Sequence, residues 1–310
     1  MLRYILRRLL QALPVFLGTT FLIYALVFAM PGDPVLALFG ERTPNPAQLE
    51  SLRAHYNLDK PFIVQYLLYL QGIVTGNMGE TFSGRSVSDV LHAAMPVTVK
   101  LVIMAVLMEF VLSVVIGMIS GLLARKAAIV DYINLIIALV LNSVPVFVAM
   151  FFAQYWIGIR RGWAPVTVGG NATWGAMFLP ALVIALTIYV TGMRLMRGTV
   201  VESQHEDYVR TAYAKGLRPS RVIPVHILRN SLIPVVTNSA ASFGYLIAST
   251  TVTEAIWDIP GVGNTLYQAI LRGEGPTVVS FVTVLTVAYV VLNILVDLLY
   301  AVLDPRIHYV

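Results

Sequence analysis

Long apolar runs alternate with short polar intervals along this chain, and the length of the runs is the first signal. Six stretches of about 20 residues stand out: about Leu9–Met30, Val99–Leu123, Tyr132–Ile157, Phe178–Met196, Leu232–Val252 and Val278–Leu303. A helix rises about 1.5 Å per residue, so about 20 apolar residues cross the roughly 30 Å hydrocarbon layer of a bilayer. The pattern predicts an all-α membrane protein with six transmembrane helices in one domain covering residues 1–310. Arg3, Arg7 and Arg8 precede the first run as they would in a secretory signal. That run is too long for a signal core and ends in "MPGDP" without a small-residue cleavage site, so it reads as a retained helix.

The polar intervals carry patterns of their own. Residues 31–98 form the longest one and predict an ordered helical insertion. Asn45-Pro46 has the order of an N-cap followed by proline at the first helical position, opening "AQLESLRAHY". A second helix, "FIVQYLLYLQGIV" after Pro61, is too short to span and is placed along the interface with its tyrosines at headgroup level. Ser86-Val-Ser-Asp89 has capping-box spacing and leads a short helix into Pro96 and the second span. Before the last span, Pro260-Gly261-Val262-Gly263 predicts a turn, with Asn264 capping a short helix that ends at Arg272-Gly273. This segment reads either as an interfacial connector or as a re-entrant element at the outer mouth of a pathway.

Composition agrees with the run lengths. The chain is 58% hydrophobic and 12% charged, about half the charge of a soluble domain. It lacks cysteine, which excludes disulfides and thiolate metal or redox sites. Lys and Arg outnumber Asp and Glu by 21 to 16, and their placement decides what that means. With the N-terminus inside, the inner segments hold Arg3, Arg7, Arg8, Arg125, Lys126, Arg194, Arg197, Arg210, Lys215, Arg218, Arg221, Arg229 and Arg306. Inner loops retain Lys and Arg, so both termini are placed in the cytoplasm of a multi-pass membrane protein. Arg160-Arg161, in a short outer loop, runs against that bias. The basic excess is thus a topology signal, with the lipid bilayer and not nucleic acid as partner.

Few groups offer chemistry. Glu109 and Asp297 lie within runs, where a charge costs roughly 2.5–3.5 kcal/mol, so each must face protein or water. A proton relay or substrate contact is one reading, an interhelical hydrogen bond the other. Pro145, in "LNSVPVF", frees the Leu141 carbonyl, which Asn142 and Ser143 stand ready to satisfy. The result is either a simple kink or a bend that lines a cavity. Asn171-Ala-Thr173 matches a glycosylation sequon, a pattern that is common by chance. There is no phosphate loop, no zinc-protease motif and no nucleophile elbow, and the five histidines lack ligand spacing. The chain therefore reads as a non-enzyme that binds no cofactor or metal itself, and uphill transport would draw on an ion gradient or a partner.

One polar interval is unusually ordered. "EDYVRTAYAKGL", Glu206 to Leu217, starts with acids and ends with Lys215, as the helix dipole prefers. Gly216 follows at the position that favours a left-handed residue, Pro219 blocks continuation, and Ser220 is placed to cap a second turn. Val209, Ala212 and Tyr213 share one face. An ordinary basic loop and a helix docked in a partner's groove both fit.

"DYVRTAYAKGL" followed by "HILRNSLIPVV" resembles the EAA-loop region of ABC-importer permeases, and the rest of the chain is similar to the B-type permease subunit of dipeptide and oligopeptide importers. The likeness extends through "MLRYILRRLL", "MPGDP", "YNLDKPFIVQYLLYLQGIVTGNMGETF", "SVPVF", "GWAPV", "LPAL", "IPGVGNTL" and "NILVDLLYAVLDPRI". The resemblance implies the type I importer fold of six helices, with residues 31–98 extracytoplasmic and residues 197–231 as a cytoplasmic coupling loop. It implies a homologous C-type permease partner, two cytoplasmic ATPases that carry ATP and Mg, and an outer peptide-binding protein. It gives Glu206, Asp207, Tyr208, Val209, Arg210, Thr211, Ala212, Tyr213, Ala214, Lys215, Gly216 and Leu217 the role of coupling to an ATPase. The family's glycine falls on Gly216 and its small residue on Ala212, while its Glu-Ala-Ala start falls on Arg210-Thr211-Ala212, so the founding Glu is absent. Candidates for the translocation path are Glu109, Asn142, Ser143, Pro145, Pro260, Gly261 and Gly263. The implied mechanism is alternating access driven by the ATPases. A nickel or other small-solute importer, an ion-coupled carrier and a purely structural membrane subunit are the competing readings.

Overall fold

The computed structural model describes residues 2–28, 34–37, 45–81, 83–124, 127–170 and 172–303. Most of "MPGDP", the Arg125-Lys126 pair, the sequon residue Asn171, residues 304–310 and the Asp297 side chain lie outside that description. The helices in chain order are α1 (Leu2–Phe28), α2 (Pro34–Ala37), α3 (Pro46–His55), α4 (Phe62–Val74), α5 (Val87–Leu123), α6 (Ala128–Ser143) and α7 (Val146–Ala153). After a π-helical turn at Gln154–Ile159 come α8 (Phe178–Ser203), α9 (Asp207–Ala214) and α10 (Pro219–Val222). A second π-helical turn, Ile223–Leu228, leads into α11 (Arg229–Ser249), α12 (Thr251–Ile256), α13 (Val262–Leu271) and α14 (Gly275–Leu303). Among the described residues the only β pairing is an isolated bridge between Glu80 and Ser86.

Among the described residues, four helical stretches are long and apolar enough to cross a membrane: Arg7–Phe28, Val87–Leu123, Phe178–Ser203 and Gly275–Val296. A fifth arises if α6 and the Val146–Ile159 stretch count as one span, but the two meet at 97°. The span expected over Tyr132–Ile157, with a kink or bend at Pro145, is a broken pair. Pro145 stands at the N-cap of α7, where its missing N–H costs nothing. The Leu141 carbonyl is satisfied by the Val144 N–H at 3.3 Å, not by Asn142 or Ser143. The Ser143 hydroxyl donates instead to the Leu139 carbonyl. Helix α11 has 21 residues, yet Asn230, Ser231, Thr237, Asn238, Ser239 and Ser242 dilute its apolar character.

The chain folds as two compact units. The first comprises Met1–Val99 and Ile247–Ile294. Its core gathers Tyr24, Tyr66 and Val279, flanked by Phe28, Phe62 and Tyr69. The rings of Tyr24 and Tyr69 lie 5.3 Å apart, and the Tyr66 hydroxyl meets Thr20 Oγ1 at 2.9 Å. Tyr66 and Tyr69 thus pack inward against α1 and α14. The outward face of α4 is carried by Ile63, Leu67 and Val74. Asn45 caps α3 as its sequence predicts, accepting from the Ala47 N–H at 3.0 Å. Pro96 does not interrupt α5, which runs unbroken for 37 residues and about 55 Å.

The second unit comprises Lys100–Leu246 and Leu295–Val310. Helix α8 is its axis, and it continues past the expected end at Met196 to Ser203. Gly117 and Gly121 let α5 approach α8 closely. A Cβ at Gly117 would stand 2.6 Å from the Met196 Cβ and 2.7 Å from the Met193 carbonyl oxygen. A Cβ at Gly121 would meet the Val200 side chain at 2.7 Å. Small residues four apart bring helix backbones together where hydrophobic driving force between spans is absent.

Candidate functional site

Helix α9 is short, and its ends are defined by chemistry legible in the sequence. Glu206 is the extended residue before it, and Asp207 lies in the first turn, where the unpaired N–H groups favour an acid. At the other end Gly216 takes φ +79°. The Gly216 N–H bonds the Tyr213 carbonyl at 2.9 Å, and the Leu217 N–H bonds the Ala212 carbonyl at 3.2 Å. That pair of bonds is a Schellman motif, which needs a left-handed residue where Gly216 stands. Pro219 then begins α10 at its first position with Arg218 as the N-cap, so Ser220 lies inside the turn it was expected to cap.

The faces of α9 are divided differently from the expectation. Val209 and Ala212, 1% and 4% exposed, are buried against Met196, Val200, Val222, Ile227 and Val235 of their own unit. Tyr213 does not join them: it is exposed, as are Tyr208, Arg210, Thr211, Ala214 and Lys215. Two buried small residues hold the helix onto α8 and α11, and a mixed face of two tyrosines, a threonine and cations points outward. Arg210 and Asp207 approach to 3.7 Å, but both are so exposed that the pair contributes little to stability.

The path candidates of the second unit do not form one cluster. Glu109 is fully buried, accepting from Ser113 Oγ at 3.0 Å and from Ser239 Oγ at 2.7 Å. Ser113 also reaches the Tyr189 carbonyl at 2.9 Å. A Cβ at Gly192 would lie 2.8 Å from Glu109 Oε1, so α8 needs glycine at this crossing. Glu109 therefore ties α5 to α11 beneath α8, which is the hydrogen-bonded reading of a buried acid. Asn142, Ser143 and Pro145 are exposed at the break between α6 and α7.

In the first unit, Gly261 and Gly263 lie buried at the start of α13, while Pro260 is exposed. They surround a group the sequence reading passed over, Glu254, which is fully buried. Its Oε1 accepts from Thr98 Oγ1 at 2.7 Å and its Oε2 from the Asn264 N–H at 3.0 Å. Thr98 Oγ1 in turn accepts from the Val262 N–H at 2.8 Å. The carboxylate thus does the capping that was expected of Asn264, whose own Nδ2 donates to Asp258 Oδ1. A Cβ on Gly263 would come within 2.5 Å of the Thr251 Cα. The signal in the sequence is a lone acid ending an apolar run, seven residues before the first glycine of "IPGVG".

An ion pair joins α6 and α8. Asp131 and Arg197 form a two-point bridge, with Arg197 Nε donating to Asp131 Oδ1 at 2.7 Å and its Nη2 to Oδ2. The charge pattern along the chain does not reveal this bridge, because residues 66 apart give no local signal.

Comparison with known proteins gives matches along the chain. Residues 113–309 match the family described as binding-protein-dependent transport system inner membrane component. Residues 1–102 match the N-terminal model for membrane components of such systems. The dipeptide transport system permease protein of Escherichia coli (strain K12) is 32% identical over 339 residues, covering 100% of this chain and 99% of that one. The di/tripeptide transport system permease protein of Pseudomonas aeruginosa is 32% identical, with the same coverage. The oligopeptide transport system permease protein of Haemophilus influenzae is 35% identical over 314 residues, covering all of both chains.

Proposed function

This chain belongs to the family of inner membrane components of binding-protein-dependent transport systems, and we propose that it is the permease subunit of an ATP-driven importer of di- and oligopeptides. The observation that carries the substrate class is that relatives matching the whole chain are named as dipeptide, di/tripeptide and oligopeptide permeases. The chain forms half of the translocation path, with a homologous C-type permease forming the other half. Two cytoplasmic ATPases supply ATP and Mg, and an extracytoplasmic peptide-binding protein delivers the substrate. The spans number six once the α6–α7 pair and α11 are each counted, with both termini in the cytoplasm and residues 31–98 outside.

Residues 206–217 are the coupling segment. The outward face of α9, from Tyr208 to Lys215, enters a groove on an ATPase, and the packing of Val209 and Ala212 conveys its displacement to α8 and α11. Only a ligand with different affinity for two states shifts the balance between them, so ATP acts by favouring the closed ATPase pair and the outward-open permease. At the path, Asn142, Ser143 and Pro145 at the α6–α7 break and Pro260, Gly261 and Gly263 at the outer turn are the candidate elements. Glu109 and Glu254 hold helices in place.

Uptake in a strain deleted for this chain tests the substrate. Labelled dipeptides and longer peptides are expected to enter only when the chain is restored. Restored uptake of nickel with no uptake of peptide would replace peptide by metal as the cargo, and unchanged uptake on deletion would leave the chain a structural subunit.

A further inference from the structure

Helices α6 and α8 of the second unit enclose an open groove of about 470 Å³, lined by Tyr132, Leu135, Ile136 and Leu139 from α6 and by Arg194 and Arg197 from α8. The four α6 residues recur at the spacing of one helical stripe. Arg197 is already committed to Asp131 through two hydrogen bonds. Arg194 stands one turn away, exposed, and among the described residues no acid lies within ion-pairing distance of it. An arginine beside apolar side chains on a membrane-spanning helix requires a counter-charge or an aqueous outlet for its head. The protein's own acid at this end of the groove is taken by Arg197.

We infer that this groove binds an anionic phospholipid, with its phosphate held by Arg194 and its acyl chain laid along Leu135, Ile136 and Leu139. A guanidinium presents parallel donors that match phosphate oxygens, and the Asp131–Arg197 bridge fixes the polar end of the groove beside it. The apolar stripe distinguishes a lipid from a free phosphate, which would gain nothing from Ile136 or Leu139. Basic sites between membrane helices recognise anionic headgroups in this way.

Native mass spectrometry of the intact transport complex in mild detergent, titrated with phosphatidylglycerol and separately with phosphatidylcholine, tests the site. Retained phosphatidylglycerol is expected to exceed phosphatidylcholine, and to fall at least fivefold in Arg194→Gln. Arg161→Gln, in the loop before α8, serves as control and is expected to leave retention unchanged. Ile136→Trp, which fills the groove and leaves both arginines in place, is expected to lower retention as well. Equal retention in Arg194→Gln and the parent would overturn the inference. So would competition by water-soluble glycerophosphate as effective as that by the full lipid. A cysteine at Leu139 that crosslinks to a neighbouring membrane subunit in place of a photoactivatable lipid would also overturn it.

Discussion

The Thr98 hydroxyl accepts from the Val262 N–H and donates to the Glu254 carboxylate, so one oxygen joins α5 to the turn before α13. Thr98→Val keeps the shape and removes both bonds, leaving a buried N–H and a buried acid short of a partner. Such orphaned groups cost about 1–3 kcal/mol each. The expected result is a lower melting temperature in detergent for Thr98→Val, with Thr98→Ser close to the parent; equal melting of all three would remove the turn's dependence on Thr98. Gly216 carries a different constraint. At φ +79° an L-residue loses about 1–2 kcal/mol, and a β-branched one more. Gly216→Val is expected to release ATPase subunits during purification and to uncouple hydrolysis from uptake. Full co-purification with normal coupled uptake would separate the Schellman turn from coupling.

At the scale of elements, α9 presents one face to its own unit and the other outward. Single cysteines are straightforward to place because the chain has none. Cysteines at Thr211 and Ala214 are expected to crosslink to an ATPase subunit, whereas those at Val209 and Ala212, buried at 1% and 4% exposure, are not. Crosslinking from the buried pair, or from none of the four in an assembled complex, contradicts docking by the outward face. The ends of α9 were legible because caps and stops are local: Asp207, Gly216 and Pro219 each act on backbone within a few residues. That Ala212 packs within its own unit was not legible, because a small residue suits a partner's groove and a close intramolecular crossing equally well. Glu254 and the Asp131–Arg197 bridge were illegible for the complementary reason, since their partners come from distant helices. The α6–α7 break was half legible: Pro145 marked the place, but its 97° angle depends on tertiary packing. Arg160 and Arg161, the exceptions to the basic bias of inner loops, stack on Trp156 and Trp163 at 5.2 and 4.9 Å. Cations resting on interfacial aromatic rings are a local arrangement that a count of loop charges does not register.

For the whole molecule, the glycine-mediated crossing of α5 and α8 sets how the second unit holds together. Gly117→Leu drives a side chain into Met193 backbone and Met196, neither of which yields without shifting α8. The expected outcome is loss of folded protein in the membrane, read by size-exclusion profile in detergent; a monodisperse parent-like profile would contradict a crossing this tight. In the proposed mechanism the chain is a passive path whose energy comes from ATP on partner subunits. Reconstituted liposomes measure that directly, using labelled dipeptide and the peptide-binding protein on one side. Uptake is predicted only with the complete complex and ATP, and none with this chain alone under a proton or sodium gradient. Gradient-driven uptake by this chain alone, without ATPases, would contradict the account.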